Sequence, residues 1–228
     1  YMPLATDPEI FNGHPATRFA REVAFVGSSM LVQLGEALEK HEGLEHVVAA
    51  VENALNEGRV TRQSFAVGMA GILGHELYNA LDPSQQRNAE LLTNYEATTQ
   101  QRLNLVRTLM PLGIEARGDA SWAKVLDNYE SNVGYFDDLA PFYRETVVNV
   151  NSTSLQMRDA VNQRVFDCPA AGGFLITDNQ PDLYDLFDVE NEVVSYDSLP
   201  ELYDKTAYYL KHPEARTPFI ERARKRVL

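Results

Sequence analysis

The chain is 228 residues long, 44% hydrophobic and 23% charged, with a formal charge of −13 at neutral pH. It is long enough for a substantial buried core. Its acidic balance argues against a nucleic-acid binder, which neutralises phosphates with Lys and Arg. Cys168 is the lone cysteine, so an intrachain disulfide and a cysteine-built zinc site are excluded. No apolar run reaches the roughly 18 residues of a membrane span, and a reducing, cytoplasmic setting is expected.

The chain begins with Tyr1, and residues 1–21 read as the remnant of an interdomain linker that follows a missing N-terminal part. Residues 22–29 predict a short buried strand that closes on Gly27, Ser28 and Ser29. Such a turn offers backbone amides to a phosphate. It is equally compatible with a plain strand-to-helix turn capped by a serine. No GxGxxG follows, so no dinucleotide fingerprint is present.

From Met30 to about Gln100 the pattern turns helical, with Leu31, Leu34 and Leu38, then Val47, Val51 and Leu55, at three- and four-residue spacing. Gly58 and Asp82-Pro83 punctuate it. This block, about 30–100, is longer than an ordinary crossover and predicts a helical insertion. His41, His46 and His75 lack a second ligand at metal spacing, so no metal site is expected.

An α/β rhythm follows: a helix over 102–110, a strand over 114–117, a helical turn over 139–144 and a buried strand over 147–151 with a polar exit at 152–154. Residues 162–178 then read as turn, short helix, turn and strand, with Gly172-Gly173 ending the helix. Asp159 and Asp167 stand eight residues apart, with Asn162, Gln163 and Arg164 between them. A helix start accommodates an anion, and a carboxylate one turn in can accept hydrogen bonds from a ribose diol. On the residues alone, a surface helix with a solvated first turn is the better fit. The acidic residues of 182–192 are too diffuse for a calcium loop. A last strand over 192–196, a helix over 199–211 and a basic final helix from Thr217 complete the chain.

Residues 149–157, 161–173, 174–178, 196–202 and 209–216 together resemble the C-terminal half of GT-B glycosyltransferases. More narrowly, they are similar to the group 1 branch that includes spore-maturation-type glycosyltransferase-like proteins. Residues 25–28 resemble the first strand of that domain. The resemblance implies a Rossmann-like, doubly wound α/β fold with a parallel sheet over 22–228. It implies a nucleotide diphosphate-sugar as donor, no metal or other cofactor, and sugar transfer to an acceptor hydroxyl on a glycan, lipid or protein. Retaining members commonly carry Glu-x7-Glu, the second acid holding the ribose and the first facing the donor sugar; Asp159 and Asp167 occupy that spacing. Gly27, Ser28, Asn162, Gln163, Arg164 and Asp167 are thereby the expected donor-binding residues, and Arg164 and Asp159 the expected catalytic ones. In such enzymes the acceptor binds mainly the N-terminal domain, so this chain alone is expected to be inactive. A nucleotide-sugar epimerase or phosphorylase, a non-catalytic docking protein that keeps the fold, and a flavodoxin-like domain are the alternatives, the last disfavoured by the missing phosphate loop.

Overall fold

In the computed structural model, residues 5–41, 43–61, 64–65 and 68–228 are described. Residues 1–4 of the expected linker, and 42, 62–63 and 66–67 of the expected insertion, lie outside them.

Short apolar runs make the sheet. Among the described residues five strands, β1 (Arg21–Val26), β2 (Ile114–Arg117), β3 (Thr146–Val150), β4 (Leu175–Asp178) and β5 (Val194–Tyr196), pair in the order β2-β1-β3-β4-β5. Every pairing is parallel, with Phe25 opposite both Ala116 and Val150 and Ile176 opposite Val194. Strands covered by crossover helices need apolar residues at nearly every position rather than at alternate ones; all four residues of β4 are buried. The fold is α/β, Rossmann-like and doubly wound. The same strand order occurs in flavodoxin-like domains, so the loops, not the sheet, must separate the two.

The chain divides into two units. The sheet unit takes Asn104–Thr153, Asp159–Leu228 and the described residues up to Gly27. The helical unit takes Ser28–Leu103 and Ser154–Arg158.

Within the helical unit lie α1 (Leu31–Lys40), α2 (Glu45–Asn56), α3 (Met69–Leu73), α4 (His75–Ala80) and most of α5 (Pro83–Leu109). Val47, Val51, Ala54, Ile72 and Leu92 are fully buried in its core. The Asp82-Pro83 punctuation is a helix start. Asp82 Oδ1 accepts the amides of Ser84 and Gln85, and Gln85 returns its side-chain oxygen to the Asp82 amide. Pro83 takes the first helical position, where its missing N–H costs nothing. So capped, α5 runs 27 residues without a break at position 100, roughly 40 Å at 1.5 Å per residue.

In the sheet unit, α6 (Leu139–Arg144) precedes β3, α7 (Arg164–Ala170) precedes β4, and α8 (Pro181–Leu186) lies between β4 and β5. The chain ends in α9 (Leu199–Lys211) and α10 (Pro213–Val227). The final helix starts at Pro213 rather than Thr217, because Pro213 fits its first turn and Pro218 is tolerated within it. α7 is held tightly, with every residue from Val165 to Ala170 buried. It stops at Gly172, whose φ of 84° is left-handed, and a Cβ there would lie 2.9 Å from the His14 and Pro15 backbone. Residues 5–20, expected as linker, run against this unit; Phe11 is fully buried in its core with Val165 and Tyr143.

Candidate functional site

In an open parallel sheet, ligands bind beyond the carboxyl ends of the strands where the winding reverses. Here that point lies between β1, which ends into Gly27, and β3, which ends into Asn151, Ser152 and Thr153.

Gly27 is pinned from two sides. Its amide donates to the Arg117 carbonyl at 2.8 Å, and its carbonyl accepts from Trp122 Nε1 at 2.8 Å. A Cβ at this position would lie 2.9 Å from the Phe25 ring and 3.1 Å from Arg164 Nη2. Glycine is thus what lets the Arg164 guanidinium lie against the end of β1. Arg164 is half-buried, and among the described residues its guanidinium makes no hydrogen bond or ion pair. Its N–H groups are therefore open to an anionic partner among the described residues.

A buried polar network sets the start of α7. Asn162 Nδ2 donates to Asn151 Oδ1 at 2.9 Å, and Asn162 Oδ1 accepts the Arg164 amide at 3.2 Å. Asn151 Nδ2 donates to Thr177 Oγ1, and Asp178 Oδ1 accepts both the amide and the hydroxyl of Thr153. Gln180 Nε2 donates to the other Asp178 oxygen at 2.9 Å. The loops after β3 and β4 are thereby tied to the helix that carries Arg164 and Asp167. The amides opening α7, expected to cradle a phosphate, are committed within the chain. Val165 donates to the Asn162 carbonyl, and Phe166 and Asp167 both donate to that of Gln163.

Asp167 is 2% exposed. Its Oδ2 accepts the Tyr135 hydroxyl at 3.3 Å, while Oδ1 is buried without a hydrogen-bond partner. Burial pushes its carboxyl up to about 6. The Thr6 hydroxyl, beside it but short of a hydrogen bond, the Tyr135 hydroxyl and the Arg164 charge pull the other way, and Asp7 adds to the rise. Gln163 Nε2 donates to Tyr135 Oη at 3.0 Å and to the Ala5 carbonyl at 3.2 Å.

Gly27, Asn162, Gln163, Arg164 and Asp167 therefore share one neighbourhood in the sheet unit. Asp159 does not join it. It is exposed in the loop before α7, and its carbonyl accepts the Asp182 amide at 3.1 Å. Ser28 belongs to the helical unit, where its hydroxyl accepts the Met30 amide at 3.0 Å and approaches Gln33 Oε1 at 3.2 Å. Ser29 Oγ accepts the Leu31 amide at 3.2 Å, while the N-cap position of α1 is Met30, which has no side-chain cap. Sequence reasoning missed Tyr135, Asn151, Thr153, Asp178 and Gln180. The signal for the last four was amide, hydroxyl and carboxyl side chains at or just beyond the ends of buried strands. Tyr135 carried none, because the contact spans 32 residues. No group of three or more His, Cys, Asp or Glu among the described residues is placed to hold a metal, and no described helix is long and apolar enough to cross a membrane.

Near its reversal point the doubly wound parallel sheet thus carries a buried carboxylate and an arginine that makes no hydrogen bond or ion pair among the described residues. The chain belongs to a glycosyl transferase-like family, whose model matches residues 88–228. That match opens within α5, runs through β2 to the end of α10, and contains every expected site residue except Gly27 and Ser28. The chain has no significant match among curated proteins. Its function is accordingly of the glycosyltransferase type.

Proposed function

We propose that the sheet unit is the donor-binding domain of a GT-B glycosyltransferase and holds a nucleotide diphosphate-sugar beyond the ends of β1 and β3. The observation that carries this reading is a pair on one short helix: Asp167, buried with one oxygen unpaired, and Arg164, unpaired against Gly27. Arg164 faces the diphosphate, offsetting its charge and the charge that grows on the leaving phosphate as the sugar departs. Gly27 keeps the approach to the backbone open. Asp167 Oδ1 accepts a hydrogen bond from the ribose, and Gln163 lines the mouth of the site. Asn162 sets the helix start rather than touching the ligand. Asp159 receives no role. By the GT-B resemblance, the acceptor and any general base belong to an N-terminal domain, so the isolated chain binds donor without transferring sugar.

The test is thermal stabilisation by UDP, GDP, dTDP and their sugars, repeated on Arg164→Ala and Asp167→Ala. A nucleotide at about 100 times its Kd adds about 2.7 kcal/mol, which raises Tm by roughly 5–10 °C in a chain of this size. One nucleotide series should stabilise the wild type and neither variant. The absence of any nucleotide effect would instead favour a docking protein that has kept the fold.

A further inference from the structure

The donor reading leaves Tyr135 unused, although it is the only side chain among the described residues that hydrogen-bonds the Asp167 carboxylate. It reaches the site from the long loop after β2, and three contacts fix it there. Gln163 Nε2 donates into its oxygen, so the single phenolic proton is directed at Asp167 Oδ2. Its ring stands edge-on to Phe11, which is fully buried, with centroids 5.4 Å apart. Phe136 packs edge-on against the same ring at 5.3 Å.

We propose that Tyr135 is the positioning residue of this site: by holding Oδ2 it orients the Asp167 carboxylate so that Oδ1 is the one acceptor presented to a ribose hydroxyl of a nucleoside diphosphate. This rests on the donor reading above. Either oxygen of a carboxylate can accept a hydrogen bond unless one is already engaged, and a buried one without a donor takes up a proton. Tyr135 counters both. Its own phenol is pushed up, by burial first and then by Asp167, so it stays a donor through neutral pH. The titratable and charged groups around the carboxylate are Asp7 from the N-terminal segment, Tyr135 from the loop, Tyr143 from α6, and Arg164 and Cys168 from α7. Burial holds Tyr143 and Cys168 in their neutral forms. Asp7 and Arg164 act on Asp167 in opposite senses.

The experiment measures UDP, GDP and inorganic pyrophosphate affinity from pH 5 to 8 for the wild type, Tyr135→Phe and Asp7→Asn. The Asp167 carboxyl is titrated by NMR in the same ligand-free proteins. Wild-type nucleotide affinity should rise with pH through about 6 as the carboxylate forms. Tyr135→Phe keeps the ring and loses the hydroxyl. It should weaken the bound nucleotide roughly tenfold at pH 7, move both the affinity midpoint and the ligand-free titration upward, and leave pyrophosphate, which has no ribose, unchanged. Asp7→Asn should move both midpoints downward. A merely structural tyrosine would not produce opposite shifts in two folded variants. Should UDP or GDP bind Tyr135→Phe as the wild type does, with an unmoved carboxyl titration, the positioning role is overturned while the donor reading stands. Should neither nucleotide bind the wild type, the donor reading fails and this role for Tyr135 with it.

Discussion

Replacing Asp167 by Asn should stabilise the protein at neutral pH and do nothing for it in acid. The Asp167 carboxyl titrates at about 6 in the folded chain, against 3.8 ordinarily. A raised carboxyl means that the folded state binds its proton more tightly than the unfolded state does. Below pH 4 both states are protonated and the group is neutral to folding. Between about 4 and 6 the unfolded chain has released its proton and the folded one has not, so stability falls as pH rises. Above about 6 the penalty is complete, at about 1.4 kcal/mol per pH unit of separation, or about 3 kcal/mol in all. Asn carries no charge to bury, and its oxygen can still accept the Tyr135 hydroxyl. Its amide replaces the unpartnered Oδ1 close to the Thr6 hydroxyl, which has no hydrogen bond of its own. Urea unfolding of both proteins at pH 4 and pH 7.5 should give a difference near zero at the lower pH and up to about 3 kcal/mol in favour of Asn at the higher, or roughly 6–12 °C in Tm. Other carboxylates titrate over the same range, so the variant-minus-wild-type difference is the quantity to follow. If Asn destabilises equally at both pH values, the buried carboxylate is not the liability argued here.

Further outcomes follow from the neighbouring geometry. Gly27→Ala places a methyl 3.1 Å from Arg164 Nη2 and against the Phe25 ring; nucleotide affinity should fall at least as far as in Arg164→Ala while the far-UV circular dichroism stays as in the wild type. Gly172→Ala combines a left-handed φ of 84° with a clash at the His14 and Pro15 backbone, and should cost about 1–3 kcal/mol by denaturant titration. Trp122→Ala empties a fully buried site and strips the Gly27 carbonyl of its donor; a loss of about 3–5 kcal/mol is expected, against a smaller loss for Trp122→Phe, which keeps most of the packing.

The parts of the fold that were legible in the sequence are those decided by local chemistry. The apolar run at 147–151, the Gly172-Gly173 stop and the strand at 174–177 all stand within a residue of where periodicity and turn residues put them. Boundaries set by capping were misread. Asp82-Pro83 reads as a break until Gln85 is seen to return a hydrogen bond and open a 27-residue helix. Pro218 reads as a start although Pro213 already supplies one. The site was half legible for a related reason. Arg164 and Asp167 sit in one continuous stretch, so their proximity follows from helix geometry. Asn151, Thr153 and Asp178 reach it through strand pairing and loop closure, marked along the chain only as polar residues at the ends of buried strands, and Tyr135 is marked by nothing near it.

Burial and function pull against each other at Asp167. Every residue of α7 from Val165 to Ala170 is buried, and by packing alone an apolar side chain at position 167 would serve better than an acid with an unpaired oxygen. The network from Asn151 through Asn162 to the Arg164 amide would hold the helix start just as well without a carboxylate one turn further along it. What the acid adds is an acceptor facing a half-buried arginine's neighbourhood near the reversal point of the sheet. A destabilising group kept at that place, and steadied by a tyrosine drawn in from another loop, is better accounted for by a ligand that completes its hydrogen bonding than by the requirements of folding.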